Sequence, residues 1–556
     1  MGTREDIIEL LKKETNLDDI PLEKPPKPEL GDYAFPCFSL SKQLKKSPAE
    51  IAKELSAKLK KPKGIREIRA AGPYVNFFAD EASLAESVLY KVMEQKDSYG
   101  SSGIGKGKKI VIEHTSINPN ASPHVGRSRN AMIGDSIVRL YRFQGYGAEV
   151  HYFVNDVGKQ IAMLVLGTKG KKKATFSGLL KAYVDINKKV EKSKELEKEV
   201  FELLSKLEKG DEETRKKFRE IVSMCIEGQK KILADFGITH DIYDYESEYL
   251  FNKKTDKVLE QLEKTGKFFF DKDSRFVLDL AGFELGMKVP VMVLTRGDGT
   301  SLYALRDLAY TMDKMEKGNN IVVLGEDHKL YFDQLTAAMK LMEKPVPRAI
   351  FYSFVLLQEG KMSTRKGNVV LLEDFMKEAV AKARKEIEKR HEKCDEKDAK
   401  KIAYGAIKYS ILRVSPEKNV TFDWGSALSF EGESCPYIQY AYARIMSIIR
   451  KLGPDESISG GKIDVSLLDK PEEAALVKKI SEFTGTAMKA AEQLKPQLIA
   501  NYAYELAKQF NEYYHSYSVI KEEKELKKAR LLLAVAVAQA VKNALQLLGI
   551  DVLDRM

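Results

Sequence analysis

"IVIEHTSINPNASPHVGRSRNAMIGDSIVRLYRFQGYGAEVHYFVND", residues 110–156, decides the fold. It opens on a short apolar run, "IVIEH", and closes on a second, "AEVHYFVND". Between them Met132, Ile133, Ile137, Leu140 and Tyr141 recur at helical spacing, and Gly145 ends the pattern. A strand, a helix and a strand of these lengths predict two parallel strands joined by a right-handed crossover. The helix is expected to begin at His124. Unpaired backbone N–H groups and the positive end of the helix dipole gather there, so an anion is the natural ligand. Gly126 leaves room for a nucleotide to approach, His124 can donate to a phosphate oxygen, and Arg127 adds a fixed charge. In a parallel α/β sheet this position is the crevice at the carboxyl ends of the strands. An ordinary hydrogen-bonded loop histidine is the other reading open at this point. No G-x-x-x-x-G-K-[ST] sequence occurs, which excludes a Walker-type loop.

Upstream, residues 1–104 read as a small α+β unit. Ser47 is an N-cap, Pro48 takes the first helical position and Glu50 completes a capping box. "GPYVNFFAD" (72–80) reads as a strand, and "SYGSSGIGKGKK" (98–109) has the composition of a linker. Downstream, residues 105–400 are expected to form an α/β domain on a parallel sheet, interrupted by a charged helical insertion at about 166–250. "NNIVVLGEDH" and "AIFYSFVLL" resume the buried-strand pattern. Residues 401–556 read as helix throughout, an α-helical bundle.

The chain has 556 residues, 43% of them hydrophobic and 31% charged, with a net charge of +10. That excess suits a polyanionic partner such as nucleic acid, or a solvated lysine-rich surface. Cys37, Cys225, Cys394 and Cys435 are scattered singly, which excludes a zinc knuckle and a disulfide framework. "LLLAVAVAQAV" (531–541) is apolar but short for a bilayer span, and "MGTREDIIELLKKE" carries no secretory apolar core. A cytoplasmic location and no membrane are expected.

A second polar knot, "GKMSTRKGN" (360–368), follows the strand "FYSFVLL". Lys361, Arg365 and Lys366, with the hydroxyls of Ser363 and Thr364 and flanking glycines, suit a loop closing over a triphosphate. Alone, such a loop is as well read as a solvated turn. Together with His124 and Gly126 it is far more specific. H-x-G after an early strand, K-M-S after a late strand and a following helical bundle resemble a class I aminoacyl-tRNA synthetase. "VIEHTSINPNASPHVGRSRNAMIGD", "YFVNDVGKQIAML", "RGDGTSLYALRDLAY", "KMSTRKGN", "YIQYAYARI" and the terminal "RM" resemble the arginyl-tRNA synthetase family over nearly the whole length. The N-terminal unit is similar to the extra domain that this family carries.

The resemblance implies attack of arginine's carboxylate on the α-phosphorus of ATP, then transfer of the arginyl group to the 3′ end of tRNA(Arg), with tRNA bound before activation. Such chemistry needs alignment and charge stabilisation, with little acid–base work from the protein. ATP with Mg²⁺ is expected, without a protein metal site. The resemblance assigns His124, Gly126, Arg127, Lys361, Met362, Ser363, Arg365 and Lys366 to ATP. It assigns Glu113, Asn118, Tyr303, Asp307 and His328 to arginine. It assigns Asn76 and Phe78 to the tRNA elbow, and Tyr513, Tyr514 and Met556 to the anticodon side; for Asn76 and Phe78 an ordinary strand, and for the tyrosines core packing, is the competing reading. The motifs depart from the family pattern twice. Arg127 stands where a second His is usual, and Thr364 where a second Lys is usual. A monomer is expected. A tRNA-binding relative that has lost catalysis is the rival reading; the retention of His124, Gly126, Lys361 and Ser363 stands against it.

Overall fold

The computed structural model describes residues 3–62, 64–120, 122–169, 175–357, 370–389, 395–452 and 462–556. Near the N-terminus, β1 (Tyr33–Pro36), β2 (Ile65–Ala71) and β3 (Tyr74–Ala79) form an antiparallel sheet in the order β1-β3-β2. Helix Pro48–Lys58 packs on it. Ser47 and Glu50 close the expected capping box: Ser47 Oγ accepts from the Glu50 N–H at 3.3 Å, and the Ser47 N–H donates to Glu50 Oε2 at 3.0 Å. Ile51 and Leu55 then face Phe35, Val75 and Phe77 in a small core.

Five parallel strands make the central sheet: β4 (Lys109–Glu113), β5 (Gly147–Val154), β6 (Ile242–Tyr245), β10 (Asn319–Gly325) and β11 (Arg348–Tyr352). Their order is β11-β10-β4-β5-β6. The chain therefore runs outward from β4 to β6, then returns to β10 on the other side of β4. Strand order reverses between β4 and β10, which opens a crevice at their carboxyl ends. Ile110, Val111, Ile112, Val150, Ile321 and Val323 are buried, as a sheet covered on both faces requires.

The crossover from β4 to β5 is helix Val125–Phe143. Sequence periodicity gives it one apolar face, yet the structure also buries Ser128, Arg129, Asn130, Asp135 and Ser136. The helix lies between the sheet and the C-terminal bundle, and its polar groups find partners on both sides. Ser136 Oγ donates to the Leu547 carbonyl at 2.8 Å, and Asn130 Nδ2 to the Val323 carbonyl at 2.7 Å.

Helices Lys159–Thr168, Phe176–Val190, Lys194–Glu208 and Glu212–Asp235 fill the interval between β5 and β6. A small antiparallel sheet of β7 (Phe268–Phe270), β8 (Phe276–Asp279) and β9 (Val291–Val293) precedes helix Tyr303–Lys317. After β11, the short β12 (Val355–Leu357) pairs in parallel with β13 (Val420–Phe422). The bundle comprises Glu396–Leu412, Cys435–Leu452, Pro471–Ser481, Phe483–Gln493, Gln497–Ser516 and Lys524–Leu547. The apolar run 531–541 lies in the last of these. That helix has the length and composition of a membrane span, but 78% of its apolar window is buried inside the bundle.

The linker composition of 98–109 misleads in part. Tyr99 is buried: its hydroxyl donates to the Ile480 carbonyl at 2.9 Å, and Asn543 Nδ2 donates to the Tyr99 carbonyl at 3.0 Å. At Gly100 (φ +99°) a Cβ would stand 2.4 Å from the Phe483 ring. Gly100 is required where the chain passes close over the bundle, and Gly105 where it meets the Tyr146 ring, whereas Gly103 (φ +69°) and Gly107 (φ +78°) face open space.

Candidate active site

The crevice is built at the end of β4. Thr115 (φ +73°) and Ser116 (φ +41°) adopt left-handed backbone, which costs non-glycine residues on the order of 1–3 kcal/mol each. Hydrogen bonds of their backbone and side chains supply the compensation. The Thr115 N–H donates to Asn130 Oδ1 at 2.6 Å. Thr115 Oγ1 sits between His114 Nδ1 (2.8 Å) and His240 Nε2 (3.1 Å). Ser116 Oγ accepts from the Phe153 N–H at 3.1 Å and donates to Glu113 Oε1 at 3.3 Å. Burial pushes His114 down to about 3 and His240 down to about 2, so both rings are neutral at physiological pH. His114 packs against Gly134, where a Cβ would lie 2.2 Å from the ring.

His124 is the N-cap residue of helix Val125–Phe143, in extended backbone. Its side chain does not cap the helix. Burial, then the charge of Arg127, pushes its pKa down to about 4, and its Nδ1 is buried with no partner among the described residues. Arg127 is exposed. Lys361, Met362, Ser363, Arg365 and Lys366 lie outside the described residues, as does Thr364. The two flanks of that motif are described, and both meet the His124 helix. On one side, the Val125 N–H donates to the Val370 carbonyl at 3.1 Å, and the Leu372 N–H to the Pro123 carbonyl at 2.8 Å. On the other, buried Arg129 reaches the segment before β12. Its Nη1 donates to the Ser353 and Lys418 carbonyls, each at 2.7 Å, and its Nη2 to the Ser415 carbonyl at 3.0 Å. Segments that are remote in sequence thus converge on one helix N-terminus.

Beside this lies a cluster of acidic and phenolic groups. Asp307 is half-buried on helix Tyr303–Lys317, and its Oδ2 accepts from the Tyr331 hydroxyl at 2.8 Å. Burial raises its pKa to about 6; Lys314 opposes the rise and Glu113 adds to it. Tyr303 is 61% exposed and its ring centroid is 5.4 Å from that of Tyr331. Glu113 is buried, and its Oε2 forms an ion pair with Lys314 Nζ. Asn118 is exposed at the surface of the crevice, with its Nδ2 3.3 Å from Gln160 Oε1. His328 is also exposed, at the N-cap of helix Lys329–Leu341 beyond the end of β10. Tyr331, Lys314, Arg129 and His240 are absent from the sequence-based site. Their partners lie far off in the chain, and periodicity carries no signal for them.

Three family models match in succession: the arginyl tRNA synthetase N-terminal domain over residues 3–79, the class I (R) tRNA synthetase catalytic domain over 88–424 and the DALR anticodon binding domain over 438–556. The arginine–tRNA ligase of Methanocaldococcus jannaschii is 39% identical, with each chain covered in full. The chain belongs to the arginyl-tRNA synthetase family. The arginine–tRNA ligase of Methanocella arvoryzae is 40% identical over 93% of this chain and 92% of its own. The Thermus thermophilus arginyl-tRNA synthetase structure, 27% identical, covers both chains fully with a TM-score of 0.84.

For an arginyl-tRNA synthetase the bundle is the anticodon-binding domain. Tyr513 requires a correction: its ring is buried and its hydroxyl donates to Glu473 Oε1 at 3.0 Å, so it is core and offers no face to a base. It serves a buried cluster in which Arg530 Nε donates to the same Glu473 oxygen at 2.8 Å. Tyr514, one residue on, is half-buried beside a groove of about 660 Å³ lined by Arg444, Asn511, Glu512, Tyr514, His515 and Ser516. The Arg444 guanidinium lies 4.7 Å from the Tyr440 ring centroid and 5.5 Å from that of Tyr514. Met556 is half-buried against the main core. In the N-terminal domain Asn76 and Phe78 are both buried, and the guanidinium of Arg69 covers Phe78 at 4.6 Å. Neither side chain presents open surface.

Proposed function

We propose that this chain activates L-arginine with ATP and transfers it to tRNA(Arg). The observation that carries this reading is the convergence at His124: a buried imidazole nitrogen without a partner among the described residues, at a helix N-terminus, with both flanks of the K-M-S segment bonded beside it. His124 and the Gly126 N–H bind phosphate oxygens, the missing Cβ at Gly126 allows close approach, and Arg127 adds charge where a second His is usual. Lys361, Met362, Ser363, Arg365 and Lys366 supply the closing segment. Asp307 takes the guanidinium in a bidentate bond, with Tyr303 over it. Asn118 and His328 border the substrate's α-amino and carboxylate end. Glu113 contributes its charge to the pocket rather than a free oxygen, since Lys314 and Ser116 engage both of its oxygens.

Mg²⁺ belongs with the ATP phosphates. Phosphate oxygens and water would supply most of its ligands, as is usual for this ion. Such an ion would supply charge neutralisation at the phosphates; the chain's own part is to align the carboxylate with the α-phosphorus and to donate to its oxygens. The domain division is proposed as 1–104, 105–400 and 401–556, with tRNA spanning the outer two. Arg66 and Arg69, over Phe78, supply the cationic surface for the elbow, and Tyr440, Arg444 and Tyr514 the stacking surface for anticodon bases. A cytoplasmic monomer without a membrane role completes the reading.

The test is arginine-dependent ATP–pyrophosphate exchange with and without tRNA(Arg). Exchange that requires arginine and tRNA together is expected. No exchange under either condition supports the binding-only rival, and exchange with another amino acid overturns the substrate.

A further inference from the structure

Two carboxylates, Glu113 and Asp307, share the proposed arginine pocket, and a resident cation stands with them. Lys314 is seven residues after Asp307, two turns along the same face of helix Tyr303–Lys317. Its side chain is 4% exposed and that of Glu113 10%. Its ammonium group contacts Glu113 Oε2 and lies 4.0 Å from the Tyr310 ring centroid. A buried lysine paired this tightly is not a surface charge. It has been placed inside a site that must admit one more cation.

Charge counting shows what it does. Without Lys314 the pocket would hold two buried carboxylates, which repel, and one would retain its proton. With Lys314 paired to Glu113, the field of Glu113 on Asp307 is offset. The pocket then presents one uncompensated negative charge, which one guanidinium neutralises. We propose that Lys314 is a positioning residue for arginine recognition: it holds Glu113 and thereby keeps Asp307 ionised and free to accept the substrate. This rests on the reading of Asp307 as the guanidinium partner.

The groups facing Asp307 are Lys314 from its own helix, Glu113 from β4, Tyr331 from helix Lys329–Leu341 and Glu246, which is engaged by Arg306. Removing Lys314 and removing Glu113 therefore move Asp307 in opposite directions. This gives the proposal a sign that a merely structural role lacks.

The experiment measures aminoacylation by the full chain from pH 5.5 to 8.5, varying arginine at saturating ATP and tRNA. In Lys314→Met the acid limb of kcat/KM for arginine is expected to move to higher pH. Displacing the limb by one pH unit lowers kcat/KM about tenfold along it, through KM, and the difference closes above about pH 8. Lys314→Arg restores the parent profile. Glu113→Gln moves the limb to lower pH, and does so independently of whether Lys314→Met folds. A pH-independent loss in Lys314→Met, or a limb that Glu113→Gln leaves in place or moves to higher pH, overturns the proposal. Asp307→Asn separates the two ideas: if it leaves the arginine KM unchanged, the pocket reading fails; if it raises KM while the other variants leave the limb alone, only the role of Lys314 fails.

Discussion

Arg129→Met is the sharpest test of how the ATP site is held. The guanidinium is buried and bonds to backbone carbonyls of Ser353, Lys418 and Ser415. Burial pushes its pKa down to about 10. Methionine fills comparable space but leaves three carbonyls without their donor. At about 1 kcal/mol or more for each unsatisfied acceptor the loss is about 3 kcal/mol. Relief from burying a charge without a carboxylate partner offsets a fraction of it. A net loss of about 2–3 kcal/mol corresponds to a fall in melting temperature of about 4–12 °C, for an unfolding unit of 150–250 residues. The bond to Ser353 fixes the chain ahead of the K-M-S segment against the helix that bears His124, and those to Ser415 and Lys418 tie in the segment before β13. The KM for ATP is therefore expected to rise, with the KM for arginine less affected. Thermal melting, with and without ATP, and pyrophosphate exchange with ATP varied measure both. A melting temperature within about 1 °C of the parent, together with an unchanged KM for ATP, would sink this account of Arg129.

Other outcomes follow from the same geometry. Since Asp307 must be ionised to accept the guanidinium and its pKa is raised to about 6, kcat/KM for arginine should climb as pH rises through about 6 and level off above it; a profile flat from pH 5 to 8 would count against that role. Gly134→Ala should destabilise, although alanine favours a helix by about 1 kcal/mol, because its Cβ meets His114 and overpacking costs about 1–3 kcal/mol; a higher melting temperature would contradict this. Tyr514→Ala should raise the KM for tRNA by about tenfold, a stacked base being worth about 1–3 kcal/mol. Tyr513→Phe, measured in parallel, should lower the melting temperature through Glu473 and leave that KM alone.

The crossover helix, the capping box at Ser47 and the bundle were legible because their signals are local: spacing, caps and turn residues. Segment 98–109 was half legible; its glycines were visible, but the Phe483 ring that requires one of them, Gly100, is almost 400 residues away. In the site, His124 and Asp307 were readable through motifs. Arg129, Lys314 and His240 were not, since a buried cation is defined by the carbonyl or carboxylate it meets and a buried neutral imidazole by its hydroxyl partner, and those partners come from other strands and loops. Tyr513 and Tyr514 show the limit most clearly. Adjacent residues on one helix have identical chemistry, and only the neighbouring helices decide which is core and which borders the groove.

The seam at Tyr99 bears on how this molecule can be taken apart. Asp97 contacts Lys542 and Gln539, and Asn543 holds the carbonyls of Lys96 and Tyr99. Helix Glu81–Gln95 adds Leu84, Val88 and Val92 to the same core as the bundle. A chain cut before residue 438 would bare this apolar strip and remove the acceptor for the Tyr99 hydroxyl. Module swaps or minimal catalytic fragments from this scaffold will stay soluble only if helices Pro471–Ser481 and Lys524–Leu547 travel with the segment that precedes β4, or if that strip is rewritten with polar residues.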